Sequence, residues 1–402
     1  MINEDIDIFL GLDVGKTDHW ACAVDRQGKL LWNRTLPNDE TKLVELYHHL
    51  SAKGRVLVVV DQPATIGALA VAVAQHLGLP IAYLPGLSMR RIADMYPGTA
   101  KTDQKDAFII AEAARTMPHT LRALTVSDED EATLGMLTGF DQDLARQITQ
   151  TSNRIRGLYT QIHPPLERVL GPWLDHDAVL AVIAAWPTPA QLQRAGQARI
   201  AAKLKKHGAR RHTAWAGDIM AALSKQTVTV VGTEAAAMVL PHLANQLISL
   251  HAQRADVATS VEQIVERHPL YPVLTSMPGV AVRTAAIIIA ETSGKTFLTS
   301  AALAAYAGLA PTTRQSGTSI RSERVSHSGN KRLKPALFLS AFASIRSDPT
   351  SRDYYDRKRA QGKRHNQALI ALAHRRSTVL FAMMRDGTLY NAPEPRPLAL
   401  AA

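Results

Sequence analysis

Four aspartates stand where the chemistry of a hard cation would need them. Asp13 closes the apolar segment IFLGLD, which reads as a strand. Asp61 closes RVLVVVD, a continuous apolar run of the kind found in a central strand covered on both faces. If those strands lie side by side, the two carboxylates meet at one sheet edge. Asp103 and Asp106 follow in KTDQKD, three residues apart, so on a helix they share a face. Carboxylates that converge without basic partners repel one another. A divalent cation relieves that repulsion, and oxygen ligands suit Mg²⁺ or Mn²⁺. Two such ions can clamp the attacking and leaving oxygens of a phosphodiester. Singly, each residue has a plainer reading: Asp13 as a turn residue, Asp61 before Gln62-Pro63 as a strand terminator, Asp103 as a helix N-cap. The combination is the more specific signal. Lys16, Lys101 and Lys105 lie close by in sequence, either to tether phosphates or as ordinary surface charges.

A second constellation lies between residues 306 and 343, crowded with Ser, Gly and Arg. A serine hydroxyl is a weak nucleophile and needs a base or surrounding cations to stabilise its alkoxide. Arg314, Arg321 and Arg324 are placed to grip a phosphate bidentately, and Lys331, Arg332 and Lys334 add charge for nucleic acid. By composition alone this stretch is a flexible basic loop. Just before it, LTSMPGVAVRTAAIIIAE at 274–291 has the form of a helix-hairpin-helix. Its Pro278-Gly279-Val280 turn would let backbone N–H groups approach a phosphate, or simply form a helical corner.

The elements that must carry these residues follow from periodicity. Strands are expected at 7–14, 19–25, 29–36, 55–62 and 80–85, and helices at 39–53, 65–77 and 103–116, giving a mixed α/β domain over 1–125. Leu134, Leu137, Leu144, Ile148, Ile155, Leu158 and Ile162 then recur at three- and four-residue steps, with Asp141 and Thr151 filling two steps. Leu243, Leu247, Leu250, Arg254, Val257, Val261 and Ile264 form a second stripe. These predict a coiled-coil-like helical arm over 126–268, with heptad helices at about 130–165 and 241–268. Each stripe must be buried, against the other as an antiparallel hairpin or against another subunit. The Ala-rich, basic stretch 170–240, with KLKKHGARRH at 203–212, reads as small helices inserted in that arm. A mainly α C-terminal domain is expected over 269–392, and a disordered tail over 393–402.

The 402 residues carry a net charge of +11. Between Pro311 and Tyr390 there are 16 Lys and Arg against 5 Asp and Glu, a difference of 16 − 5 = 11, so the rest of the chain nets to about zero. Such a surface attracts a polyanion, because neutralising phosphates releases counterions; an acidic membrane surface is the blander partner. One cysteine, Cys22, excludes a disulfide framework. The acidic N-terminus is no signal peptide, and no apolar run is long enough to span a bilayer. A soluble cytoplasmic protein with no membrane partner is expected.

FLGLDVGKTDHW, VVVDQPA and KTDQKDA together resemble the RuvC-like, RNase H-like domain of the DEDD transposases of bacterial insertion sequences. That family's tetrad ordinarily reads Asp, Glu, Asp, Asp, and Asp61 takes the Glu position here. The stretch 306–343 resembles the family's C-terminal transposase domain, in which a serine in a Pro-(x)n-Ser-Gly context is the nucleophile. Ser316-Gly317 after Pro311 fits best, with Ser319, Ser322 and Ser326 as rivals. Ser328, in SHSGNKRL, matches a later pattern and is structural or phosphate-binding. HNQALIALAHRRSTVLFAMMRDG at 365–387 resembles the terminal helix, with His374-Arg375 where small residues or Lys are usual. The resemblance covers about 7–166 and 241–390. It implies DNA strand exchange through a phosphoserine intermediate, a Mg²⁺-bound aspartate tetrad and an element-encoded guide RNA; reaching several strands requires several subunits, so the heptad arms suggest a homodimer or homotetramer. The tetrad alone also suits a metal-dependent nuclease such as a Holliday-junction resolvase, and the basic region alone suits a non-catalytic nucleic-acid-binding protein.

Overall fold

The computed structural model describes residues 5–63, 65–96, 102–124, 129–316, 320–324 and 329–392, with backbone alone for 312–316 and 320–324. Lys101, Ser319, Ser326, Ser328 and the 393–402 tail lie outside the described residues. Two compact units are present, one of 1–129 with 292–327 and one of 130–291 with 328–402.

The first unit is built on a six-stranded mixed sheet. Its strands are β1 (Ile8–Asp13), β2 (Asp18–Asp25), β3 (Leu30–Pro37), β4 (Val56–Val60), β5 (Ile81–Tyr83) and β6 (Arg122–Ala123), in the order β3-β2-β1-β4-β5-β6. β1 runs antiparallel to β2 and parallel to β4, and β5 is parallel to β4. The helices are α1 (Glu40–Ser51), α2 (Ala68–His76), α3 (Gly86–Ala93) and α4 (Asp103–Thr116).

The period-two alternation of the strands divides the core. Ile8, Leu10, Leu12, Val56, Val58 and Val60 pack with Leu43, Leu46, Tyr47 and Leu50 of α1 and with Ala70, Val73 and Ala74 of α2. Phe9, Leu57 and Val59 pack on the other face with Ile92 of α3 and Ile109, Ile110 and Ala113 of α4. β1 and β4 read as uninterrupted apolar runs because both faces are covered. Tyr47 is fully buried and donates its hydroxyl to the Ala70 carbonyl at 3.0 Å, locking α1 to α2. The mixed sheet expected for this part of the chain is present. The short α3 and two-residue β6 lack any periodic signal of their own.

The same unit contains α13 (Ser300–Tyr306) and a hairpin of β7 (Thr312–Ser316) and β8 (Ile320–Arg324). The hairpin replaces the expected basic loop. Its sequence, TTRQS–GTS–IRSER, lacks apolar alternation, and only β-branched Thr312, Thr313 and Ile320 hint at strands.

The second unit is helical. α5 (Glu129–Ile162) and α10 (Thr233–Val265) are its long members, with α6 (Pro164–Leu170), α7 (Asp177–Ala185), α8 (Pro189–Lys206) and α9 (His212–Leu223) between them. α5 and α10 run antiparallel: Asp130 pairs with Arg267 at 3.2 Å, Glu131 with His268 at 3.4 Å, and Asp141 with Arg254 at 2.9 Å. At the far end Ile155, Tyr159 and Ile162 of α5 share a core with Leu240, Leu243 and Leu247 of α10, and α6 to α9 wrap that core. The two stripes therefore bury against each other. Asp141 and Arg254, the charged intrusions in the two stripes, are each other's partners.

α11 (Leu270–Thr275), α12 (Val282–Thr292), α14 (Leu333–Ser347), α15 (Pro349–Ala360) and α16 (His365–Asp386) complete the chain. The turn between α11 and α12 needs Gly279. It sits at φ 82°, and a Cβ there would meet Ser340 O at 2.5 Å and Ser344 N at 2.8 Å on α14. Arg376 of α16 is buried and gathers this region, donating to Pro278 O, Ser340 Oγ and Ser351 Oγ. The turn thus packs inward as a corner.

Candidate active site

The acidic edge begins with strand register. Leu12 of β1 faces Val60 of β4 in parallel alignment, so the residues that follow, Asp13 and Asp61, emerge at the same C-terminal edge of the sheet. The Val14 N–H donates to Asp61 Oδ1 at 3.4 Å and ties the two strand exits together. Asp61 leaves β4 through a loop that doubles back tightly: a Cβ on Gly67 would stand 2.0 Å from Gln62 O. On the β1 side, a Cβ on Gly15 would stand 2.0 Å from Asp18 O. Glycine at each place is a geometric requirement of the loop that presents the aspartate.

The second half of the edge comes from α4. Thr102 is its N-cap, accepting from Lys105 N at 3.2 Å, and Asp103 and Asp106 occupy the first turn, where the helix dipole favours negative charge. α4 lies unusually close to β1. A Cβ on Gly11 would meet Ala107 O at 2.4 Å and Ala111 N at 2.5 Å, so the absence of a side chain at 11 and the small residues at 107 and 111 allow backbone-to-backbone packing. That approach brings Asp106 into the electrostatic field of Asp61. Glu112, a further acid on α4, faces elsewhere and pairs with Arg115 at 2.7 Å.

Burial pushes the Asp61 carboxyl above the usual carboxylate range, the N–H groups of Val14, Asp61 and Gln62 pull it back, and Asp106 raises it again. Asp13, Asp61 and Asp106 are half-buried, whereas Asp103 is exposed. As the side chains stand, no three His, Cys, Asp or Glu among the described residues are gathered closely enough to share one ion. The donor chemistry suits a hard cation, while the close grouping of all four carboxylates is not present in this side-chain arrangement.

His19 is a part of the site that sequence reading passed over. It is buried at the start of β2, and its Nδ1 accepts from Gly15 N at 3.2 Å, steadying the loop after Asp13. Burial lowers its pKa and keeps the ring neutral. Its only signal in the sequence was a position four residues after that glycine. Cys22, also in β2, is buried with its thiol pushed up to about 12, which removes it as a nucleophile.

The remaining candidates fall as follows. Lys16 is exposed in the β1–β2 loop, and Lys105 is half-buried in the first turn of α4. Arg314 is in β7, Arg321 and Arg324 are in β8, and Ser316 is the last residue of β7, paired in register with Ile320 across the hairpin end. The second unit holds Lys331, Arg332 and Lys334. Lys331 is exposed. Arg332 is committed within its own unit: it pairs with Glu291 at 2.8 Å and donates to Gly135 O and Thr138 Oγ1.

Residues 10–164 match the DEDD transposases of IS110, and residues 271–356 match the transposase IS116/IS110/IS902 family. The 43.6 kDa protein of insertion element IS110 from Streptomyces coelicolor is 54% identical over 401 residues, covering 99% of each chain. The 42 kDa protein of IS900 from Mycobacterium paratuberculosis is 36% identical over 389 residues, covering 96% of this chain and 97% of that one. The 44.8 kDa protein of IS116 from Streptomyces clavuligerus is 32% identical over 394 residues, with 96% and 97% covered.

Proposed function

Because this chain belongs to the transposase IS116/IS110/IS902 family, we propose that it cuts and rejoins the DNA of an insertion element through a serine nucleophile assisted by an RNase H-like acidic edge. The observation that carries the reading is the edge itself: Asp13 and Asp61 at adjacent strand ends, with the acidic first turn of α4 held over β1 by Gly11. Burial raises the Asp61 carboxyl and Asp106 raises it further, a perturbation of the kind found where a carboxylate serves as a ligand or catalyst.

The nucleophile is Ser316, at the end of β7 in the same compact unit as the acidic residues. Its Oγ attacks a backbone phosphorus, the Oγ–P bond forms, and the bond to one deoxyribose oxygen breaks, that oxygen taking up a proton. The phosphoserine conserves the energy of the broken linkage, so a second deoxyribose hydroxyl rejoins the strand by the reverse displacement. Arg314, Arg321 and Arg324 neutralise the phosphate during both steps. Asp13, Asp61, Asp103 and Asp106 are the residues that would hold Mg²⁺ or Mn²⁺, which would offset the charge of these carboxylates and withdraw charge from a phosphodiester oxygen. Lys16 and Lys105 supply phosphate contacts beside them, Lys101 takes the same role from its place in the sequence, and Lys331 and Lys334 supply others in the second unit. An element-encoded guide RNA specifies the DNA partners, and two or more subunits act together.

Denaturing electrophoresis of the protein with labelled element-end DNA tests the nucleophile. A DNA adduct is expected with the native protein and not with Ser316→Ala. An adduct that persists in Ser316→Ala overturns the assignment. Strand joining that survives both Ser316→Ala and Asp103→Ala overturns the two-part site. Sequencing of RNA that co-purifies with the protein tests the guide, and a preparation that joins DNA without any discrete RNA rules it out.

A further inference from the structure

From Ala178 to Gly217 there are forty residues with seven Lys and Arg and no Asp or Glu: Arg194, Arg199, Lys203, Lys205, Lys206, Arg210 and Arg211. All seven lie on α8 or on the turn into α9, and all but the half-buried Lys203 are exposed. Among the described residues none of them is in an ion pair. We propose that this turn is a docking surface for the sugar–phosphate backbone of duplex DNA, beyond any contact made at the acidic edge or the hairpin.

Three features carry the proposal. The first is rigidity. The helical geometry of α8 breaks at Gly196 (φ 73°, ψ 163°), and the basic half that follows closes with Gly208 in the left-handed region at φ 82°. Ala209 then bonds back to Leu204 O and is buried in the same core as Leu204, Trp215 and Ile219. The cationic groups therefore project from a fixed turn.

The second is that local helix physics accounts for only part of the charge. Lys203, Lys205 and Lys206 sit in the last turn of α8, where the macrodipole welcomes cations. Arg210 and Arg211 do not have that reason. They immediately precede α9, at the end where the dipole repels positive charge. α9 has no acid in its first turn and no side-chain cap on its N-terminal N–H groups. Uncapped N–H groups flanked by two arginines are arranged for an anion that arrives from outside.

The third is the choice of partner. Residues 199–211 hold no Phe, Tyr or Trp, and the ring beside them, half-buried Trp186, is already covered by the Arg199 guanidinium at 5.9 Å, so this surface offers no open platform on which unpaired bases could stack. Arg199, Lys203 and Lys206 follow one helix face at four- and three-residue steps, a line of charge suited to a phosphate backbone. The charged groups read no base and grip any duplex, and a DNA transposase must hold duplex arms outside its scissile site.

The test is the salt dependence of binding of the full-length protein to a duplex of scrambled sequence. Replacing Lys203, Lys205, Lys206, Arg210 and Arg211 together by Gln is expected to lower affinity roughly 10- to 100-fold near physiological salt. It should also flatten the plot of log K against log salt by about 3 to 5, at roughly 0.9 for each phosphate no longer neutralised. The exposed single variants Lys205→Gln and Arg211→Gln guard against a folding defect, each lowering the slope by about 0.9 with an unchanged melting midpoint. An unchanged slope in the single variants and in a folded quintuple variant overturns the proposal. So does a loss seen only with an RNA hairpin, or only with a single-stranded oligonucleotide, of the same sequence.

Discussion

Asp61 illustrates a conflict between stability and chemistry at a single residue. Its folded-state pKa lies above the ordinary carboxylate value, chiefly through burial. For a carboxyl raised in this way, stability is highest at pH below the unfolded value of 3.8 and declines as pH rises through the folded value. At neutral pH the charge is therefore a residual cost. Asp61→Asn is expected to raise the melting midpoint in metal-free buffer, by roughly 2–4 °C for each kcal/mol relieved, and to abolish DNA strand joining. Mg²⁺ should raise the midpoint of the native protein and not of Asp61→Asn. Calorimetry with and without chelator checks both, and a lower midpoint for the variant without metal would refute the account. His19 works in the opposite sense. Its pKa is lowered by burial, so its contribution is complete above the ordinary value of 6.5 and is lost as pH falls below it. The midpoint of the native protein should drop as pH falls below 6.5. His19→Gln should flatten that dependence, with the buried and similarly lowered His163 accounting for the remainder.

At the scale of elements, two packing features decide geometry. Gly11 allows α4 to lie on β1, and Gly11→Ala would force the helix backbone outward. Overpacking of this kind costs roughly 1–3 kcal/mol. Because α4 carries Asp103 and Asp106, strand joining should fall more steeply than stability, which paired activity and denaturation measurements will show. An activity loss no larger than the unfolded fraction would argue against the positioning role. The Asp141–Arg254 pair is partly buried in the seam between α5 and α10, with Arg283 also 3.5 Å from Asp141. Removing Asp141 leaves the partly buried Arg254 without its carboxylate against an apolar seam, whereas replacing both by Leu extends the stripe. Asp141→Leu alone should destabilise the chain more than the double replacement with Arg254→Leu, since a lone buried charge is worse than none. A double-mutant cycle in urea measures it.

At the scale of the whole molecule, charge and copy number matter most. A net charge of +11 makes DNA affinity steeply salt-dependent whatever the sequence read. On the proposed mechanism, joining strands from two duplexes would call for more than one acidic edge. On element-end DNA, light scattering is expected to report a protein mass at a multiple of 43.7 kDa, two or four chains. A catalytically competent complex of one chain would contradict this. Among the described residues no helix is long and apolar enough to cross a membrane.

Much of the sheet unit was legible in the linear chain, because its signals are local. Alternation and apolar runs placed β1, β4 and α4 close to their observed bounds, and Asp13, Asp61 and Asp103 at element ends. The heptad stripes fixed two long helices, yet whether they paired with each other or with another subunit was open. Antiparallel ion pairs decided it, since a stripe declares that it must be buried and not against what. The β7–β8 hairpin was illegible because polar, Ser- and Arg-rich strands leave no pattern of burial to read. Gly279 reads as a turn residue and Gly11 as one residue within a strand, and only the packed helix opposite each shows why no side chain fits there. Composition and spacing alone determined that this chain is basic, mixed in class and rich in carboxylates at element ends. Tertiary structure alone decided which carboxylates share an edge, that Arg332 and Arg376 are spent on internal partners, and that Arg210 and Arg211 are not. The reason is physical: periodicity records how each segment meets the core, while the meeting of distant side chains is set by packing that no segment carries by itself.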